Sequence, residues 1–305
     1  MNRLNLSGLI AAPHTPLHPD GTLNLTAIPH QIELLLEGKI SAAFICGTTG
    51  EGLSLSSAER MLLAEQWVKH SPPSLPIIVH VGHASLPEAA SLAAHAQKIG
   101  ARAISTLAPF FFKPQTVTHL VDFCIPIAAA APSLPFYFYH LPSMTGVTLS
   151  MVEFLQQAKA RIPTFAGIKY THHDLMELQQ CLQLAGDSLD ILFGRDEMLL
   201  AGLALGAKGA IGSTYNYAAL LYHRLIKAFN TGDLPTARAC QSQAVKLIEI
   251  LRQYGEIPAA KSIMEMLGIT CGPPRLPLSP LTPSKRTSLQ QELASLDIFT
   301  RPLIR

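Results

Sequence analysis

Phe165-Ala166-Gly167-Ile168-Lys169, Leu189-Asp190-Ile191-Leu192-Phe193 and Gly209-Ala210-Ile211-Gly212-Ser213 are three short apolar runs, each followed by a segment of helical period, at residues 175–185, 197–205 and 218–229. The runs are continuously apolar rather than alternating, which indicates strands buried on both faces, as in a parallel sheet with helical crossovers. Working towards the amino terminus, the same unit recurs five more times. Gly8-Leu9-Ile10-Ala11-Ala12 precedes helical residues 25–36, and Ala42-Ala43-Phe44-Ile45-Cys46 precedes 57–70, where Ser56 and Glu59 have capping-box spacing. Pro76-Ile77-Ile78-Val79-His80-Val81 precedes 87–99, Ala103-Ile104-Ser105-Thr106-Leu107 precedes 117–131, and Phe136-Tyr137-Phe138-Tyr139 precedes 150–160. Eight strand-helix units in about 225 residues fit a closed (β/α)8 TIM barrel of the α/β class better than an open, doubly wound sheet. Beyond them, helices are expected at 234–254 and 257–267, with room for a third, and then a Pro-rich tail. No low-complexity linker separates the parts, so residues 1–230 are expected to form the barrel and 231–305 a helical extension packed on it.

Composition narrows the function. Of 305 residues, 48% are hydrophobic and 14% charged, which excludes a disordered chain. The formal charge of +2 offers no polybasic surface to nucleic acid or anionic membrane, so a small-molecule partner is expected. No stretch reaches the roughly 18–20 apolar residues that span a bilayer, and the apolar run near the start is too short and interrupted for a signal peptide. The five cysteines are odd in number, widely scattered and without metal-ligand spacing, as expected of reduced packing thiols in a cytoplasmic protein.

In a barrel of this kind the chemistry sits at the carboxyl-terminal ends of the strands. After strand 2 comes Gly47-Thr48-Thr49-Gly50-Glu51-Gly52, whose amides and hydroxyls suit a carboxylate or phosphate, or serve only a tight turn; it is not the G-x-G-x-x-G of dinucleotide binding. Tyr139 ends strand 5, where its hydroxyl can relay a proton or its ring can simply fill the core. Lys169 ends strand 6. An amine withdrawn from water releases its proton more readily and can then attack a carbonyl to form a Schiff base; the alternative is a lysine reaching out to solvent. Gly194-Arg195-Asp196-Glu197 and Gly212-Ser213-Thr214-Tyr215 follow strands 7 and 8, and the two carboxylates suit substrate hydroxyls, a metal or merely the first turn of the next helix. His172-His173-Asp174 invites a metal reading, but consecutive residues rarely converge on one ion, and a capped helix start explains them.

Taken together and in order, Gly47-Thr48-Thr49-Gly50-Glu51, Tyr139 shortly before Leu141-Pro142, Gly167-Ile168-Lys169 and Gly212-Ser213 resemble the class I pyruvate aldolase family, which groups dihydrodipicolinate synthase with N-acetylneuraminate lyase. The resemblance runs over essentially the whole chain, and the stretches 136–147, 193–197, 209–217 and 272–278 resemble its sialic-acid-cleaving branch. It implies a cytoplasmic homotetramer that works without metal or organic cofactor and splits sialic acid into pyruvate and N-acetylmannosamine. Lys169 would form the imine, Thr48 and Thr49 would hold the substrate carboxylate, and Tyr139 with Thr49 would relay the C4 hydroxyl proton. Thr171, Gly194, Asp196, Glu197, Gly212 and Ser213 would bind the sugar hydroxyls.

Two positions depart from relatives. Synthases of the family carry an arginine five residues after the tyrosine; here that residue is Met144, which cannot pair with a carboxylate. Many relatives supply a tyrosine from a neighbouring subunit in the loop after strand 4, whereas this loop reads Pro109-Phe110-Phe111-Phe112. The relay then dispenses with that hydroxyl, or Tyr215 or a water replaces it. The apolar loop is expected at a subunit contact. Another 2-keto-3-deoxy sugar-acid aldolase and a non-catalytic sensor of pyruvate or sugar acid are the alternatives, although a sensor needs neither nucleophile nor relay.

Overall fold

The computed structural model describes residues 4–304. Eight parallel strands close into a barrel in sequence order. They are β1 Gly8–Ala11, β2 Ala42–Ile45, β3 Ile77–His80, β4 Ala103–Leu107, β5 Phe136–His140, β6 Phe165–Tyr170, β7 Asp190–Phe193 and β8 Gly209–Gly212. Between strands run α1 Ile28–Glu37, α2 Ser57–His70, α3 Leu86–Lys98, α4 Val117–Ala129, the single turn α5 Pro142–Thr145, α6 Met151–Arg161, α7 Leu175–Ala185 and α8 Leu199–Ala204. After β8 come α9 Tyr215–Asn230, α10 Leu234–Tyr254, α11 Glu256–Met266 and α12 Pro283–Leu293. The Ser56–Glu59 capping box forms at the start of α2 as its sequence predicts.

Strand alternation sorts the side chains into two cores. Ile10, Phe44, Ile78, Tyr137, Tyr139 and Leu192 fill the barrel interior, while Phe136, Phe138, Ile168, Tyr170 and Phe193 face the helices. In β6 the alternation changes phase. Ala166 points inward and Ile168 outward, and between them the pairing with β5 slips: Phe136 lies opposite Phe165 but Tyr137 opposite Gly167. The extra residue turns Lys169 inward, where an unbroken strand would send it out. Gly167 permits this: its φ is +152°, and a Cβ there would strike the Asp190 carbonyl.

Some sequence-based boundaries move. The helix predicted from 197 is a 3-10 turn, Asp196–Met198, followed by α8. The helix predicted from 218 begins at Tyr215, and residue 218 marks a kink instead, with Ala218 at φ −117° and ψ 25°. The Pro-rich tail contains α12, whose buried residues are Leu289 and Leu293, one turn apart. α10 packs along α9 and against the Asp196–Met198 turn, and α11 follows it back across the barrel mouth.

All five cysteines are free and buried. Burial pushes the Cys46 thiol up to about 11 and those of Cys181 and Cys271 up to about 12, so they are packing groups. No helix among the described residues is long and apolar enough to cross a membrane.

Candidate active site

Register brings the first pair together. Tyr139 on β5 lies directly opposite Lys169 on β6, and the Lys169 Nζ sits 4.1 Å from the centre of the Tyr139 ring and 4.5 Å from that of Phe44. Lys169 is only 5% exposed. No carboxylate is ion-paired with it among the described residues, so the amine is held by aromatic faces. The Tyr139 hydroxyl is 3.4 Å from Thr48 Oγ1, within hydrogen-bond range, which ties the strand 2 turn to the same point.

That turn is held from several sides. Thr15 Oγ1 donates to the Gly50 carbonyl at 2.5 Å. Glu51, at φ +54°, reaches across to the carboxyl-terminal helices: its Oε1 is 2.7 Å from Lys261 Nζ on α11, and its Oε2 accepts from the Arg275 amide at 2.6 Å. A Cβ on Gly52 would collide with the Cys46 carbonyl, which explains the third glycine of the turn.

The other side of the mouth is acidic. Asp196 is buried, and its Oδ2 accepts from the Thr214 amide at 3.0 Å and the Thr214 hydroxyl at 2.6 Å. Burial outweighs those hydrogen bonds and pushes its carboxyl up to about 6. Gly212 makes room for it, because a Cβ there would collide with the Asp196 carboxylate; a Cβ at Gly194 would likewise collide with Thr171 Oγ1. Glu197 Oε1 accepts from Arg195 Nη1 at 3.2 Å and Arg252 Nη2 at 2.9 Å. Asn216 Nδ2 donates to the Ser213 carbonyl at 2.7 Å, steadying the turn after β8.

These groups surround one cavity of about 530 Å³. Thr48, Thr49, Tyr139, Lys169, Thr171, Gly194, Asp196, Glu197, Gly212 and Ser213, the ten residues singled out in the sequence, all line it. Asp196 and Glu197 stand in the first turn of the 3-10 segment after β7, as the capping reading has it, and Thr214 ties the Asp196 carboxylate to the turn after β8. Met144 lines the cavity too and is 68% exposed. Tyr215 is buried and does not itself line it; its ring packs 4.7 Å from that of Tyr222.

Sequence reasoning missed the outer wall. Ile248, Leu251 and Arg252 from α10 and Ile257, Pro258 and Ala260 from α11 close the cavity on its far side. His14 and Tyr217 also line it, their rings stacked with centres 6.5 Å apart, and burial followed by the Lys261 charge lowers His14 to about 3. His80 lies edge-on to Tyr139 at 5.8 Å; burial, then the charges of Arg60 and Lys169, lower it well below the usual imidazole range.

A buried amine against a tyrosine ring whose hydroxyl reaches a two-threonine turn, at the carboxyl-terminal mouth of a (β/α)8 barrel, is the equipment of a class I aldolase, a carbon–carbon lyase working through a Schiff base. The chain belongs to the dihydrodipicolinate synthetase family, whose family model matches residues 5–296. Among its relatives, N-acetylneuraminate lyase of Mus musculus is 41% identical over 305 residues, covering 98% of this chain and 95% of that one. Among solved structures, Proteus mirabilis N-acetylneuraminate lyase superposes with a TM-score of 0.94 at 42% identity, over 97% of this chain and 100% of that one. A Ruminococcus gnavus sialic acid aldolase, solved as its catalytic lysine mutant, superposes with a TM-score of 0.90 at 25% identity, over 96% and 97% of the two chains.

Proposed function

We propose that this chain cleaves N-acetylneuraminate reversibly to pyruvate and N-acetylmannosamine, with Lys169 as the nucleophile. The observation that carries the reading is the placement of the Lys169 amine 4.1 Å from the Tyr139 ring, opening on a cavity lined by hydroxyls on one side and carboxylates on the other. Lys169 attacks the C2 ketone of the open-chain sugar acid and, with loss of water, forms an imine. The protonated imine withdraws electrons, so the C3–C4 bond breaks with its pair stored as an enamine. Thr48 and Thr49 hold the adjacent carboxylate through hydroxyl and amide donors. Tyr139, linked to Thr48 and with Thr49 in the relay, accepts the proton leaving the C4 hydroxyl as it passes its own phenolic proton onward, so the proton is relayed as N-acetylmannosamine departs. Protonation of the enamine and hydrolysis then release pyruvate and restore the amine. No step in this sequence draws on a metal or an organic cofactor.

The sugar chain meets Thr171, Gly194, Asp196, Glu197, Gly212 and Ser213. Each carboxylate accepts several hydrogen bonds, which suits a polyol and rejects analogues that would leave buried acceptors unpaired. Arg195 and Arg252 both engage one oxygen of Glu197, which orients the other. Met144 in place of an arginine argues against a second carboxylate-bearing substrate of the synthase kind.

In the same reading the enzyme is a cytoplasmic homotetramer in which residues 231–305 form a helical extension of the barrel at 1–230. Phe111 and Phe112 are 77% and 86% exposed in the single chain, which supports a subunit contact at that loop. A stable monomer in light scattering would contradict this. Pyruvate release from N-acetylneuraminate, compared between the native chain and Lys169→Ala, tests the activity. Release by the native protein alone supports the reading, release by both overturns the role of Lys169, and release by neither overturns the substrate.

A further inference from the structure

Outside the barrel wall, on the face turned away from the cavity, three metal-ligating side chains converge. Alternation places them: Tyr139, Lys169 and Thr171 line the cavity, so His140, Tyr170 and His172 fall on the opposite side. There they meet Glu177 from the first turn of α7. One ligand atom from each of His140, His172 and Glu177 lies within 4.8 Å of the other two. The Asp174 of the sequence triplet is not among them; it caps α7 by accepting from the Met176 and Glu177 amides at 3.0 Å, as the sequence suggests.

We propose that His140, His172 and Glu177 form a binding site for a divalent transition metal of the zinc class. An independent observation points to a ligand. His140 is 3% exposed, yet its Nε2 has no hydrogen-bond partner among the described residues, and the buried Nδ1 of His172 has none either. Buried imidazole nitrogens are costly to leave unpaired, and a metal ion would take up the lone pairs of both. Glu177 is already oriented: its Oε1 accepts from the Met151 amide at 2.8 Å and its Oε2 from the Tyr170 hydroxyl at 3.0 Å. Carboxylate oxygens retain lone pairs beyond one such bond, and ligating carboxylates are commonly fixed in this way.

The donor set sorts the candidate ions. Two imidazoles and a carboxylate suit zinc, and match calcium or magnesium poorly, since those take oxygen ligands throughout. Metal–ligand distances near 2.0–2.2 Å put tetrahedral donors roughly 3.4 Å apart, so with all separations within 4.8 Å the donors need close by no more than about 1.4 Å. His172 is half-buried in the loop between β6 and α7, so the site is set just below the surface. Three protein ligands leave a fourth position for water. The bound ion would clasp the loop after β6 to the end of β5 and so brace the chain on either side of Thr171 and Tyr139. The site does not depend on the catalytic reading.

The test is equilibrium dialysis of the full chain against zinc chloride with elemental analysis, and cobalt(II) absorption as a spectroscopic reporter. The native chain is expected to hold one zinc and to give the visible bands of tetrahedral cobalt. His172→Gln and Glu177→Gln are each expected to weaken binding at least about 100-fold, beyond the loss that follows removal of an outer partner, with an unchanged circular dichroism spectrum. His173→Gln, one residue away, is expected to bind as the native chain does. Failure of the native chain to bind zinc, or equal binding by native chain and His172→Gln, would overturn the assignment.

Discussion

Replacing Lys261 by Met tests whether the carboxyl-terminal helices hold the catalytic turn in place. Lys261 Nζ lies 2.7 Å from Glu51 Oε1, and both side chains are 2% exposed. The ammonium also donates to the Pro273 carbonyl at 2.9 Å. Met fills nearly the same volume, so the substitution removes charge without opening a large cavity. It leaves Glu51 as a buried carboxylate supported mainly by the Arg275 amide. Breaking a buried pair from one side costs roughly 3–5 kcal/mol, because the remaining charge is uncompensated. Urea unfolding followed by circular dichroism should register that loss. The double substitution Lys261→Met with Glu51→Gln should recover most of it, since no charge is then left buried. Because Thr48 and Thr49 precede Glu51 in the same turn, kcat/KM should fall in the single variant and return in part in the double. A cost below about 1 kcal/mol, as for an exposed pair, or a double variant no better than the single, would refute the reasoning.

Three further outcomes follow from the site. Tyr139→Phe keeps the ring beside Lys169 but removes the proton carrier; kcat should drop roughly 10²–10⁴-fold while pyruvate still forms a reducible imine, and loss of the imine as well would point to a structural defect. Gly167→Ala sets a Cβ against the Asp190 carbonyl at φ +152° and disturbs the phase change that faces Lys169 inward; activity should fall more steeply than stability, and unaltered kcat would contradict that role. Asp196 titrates near 6 when folded against 3.8 in the open chain. The folded state therefore takes up a proton as pH falls through about 6 toward 3.8, gaining stability that is absent above that window. Asp196→Asn, permanently neutral, should be more stable than the native chain at pH 7 and match it at pH 4, with substrate binding weakened; an equal gap at both pH values in urea unfolding would contradict the assignment.

The barrel was legible because each strand is buried on both faces and so reads as a continuous apolar run, and because strand-end residues in such a barrel share one mouth. That is why residues as distant in sequence as Thr48 and Ser213 could be assigned to one site. What the sequence withheld depends on long-range placement. Nothing in residues 234–254 says which face covers the mouth, so Arg252 and Leu251 were invisible as site residues. Gln and Lys around Leu289 and Leu293 left only two apolar positions in α12, too narrow a stripe to announce a helix. The strand 6 phase change was likewise hidden, because Gly167 signals its own conformational freedom but not the slip in pairing that uses it. His140 and Glu177 lie 37 positions apart and carry no shared motif; only the strand alternation and the first turn of α7 bring them together.

The central claim is that Lys169 forms an imine with the oxo acid, and borohydride trapping with pyruvate tests it most directly. Reduction in the presence of pyruvate should add one reduced pyruvyl group per chain, with peptide mapping locating it on Lys169, and Lys169→Ala should remain unmodified. An adduct on a different lysine, or none on the native chain, would contradict the assignment.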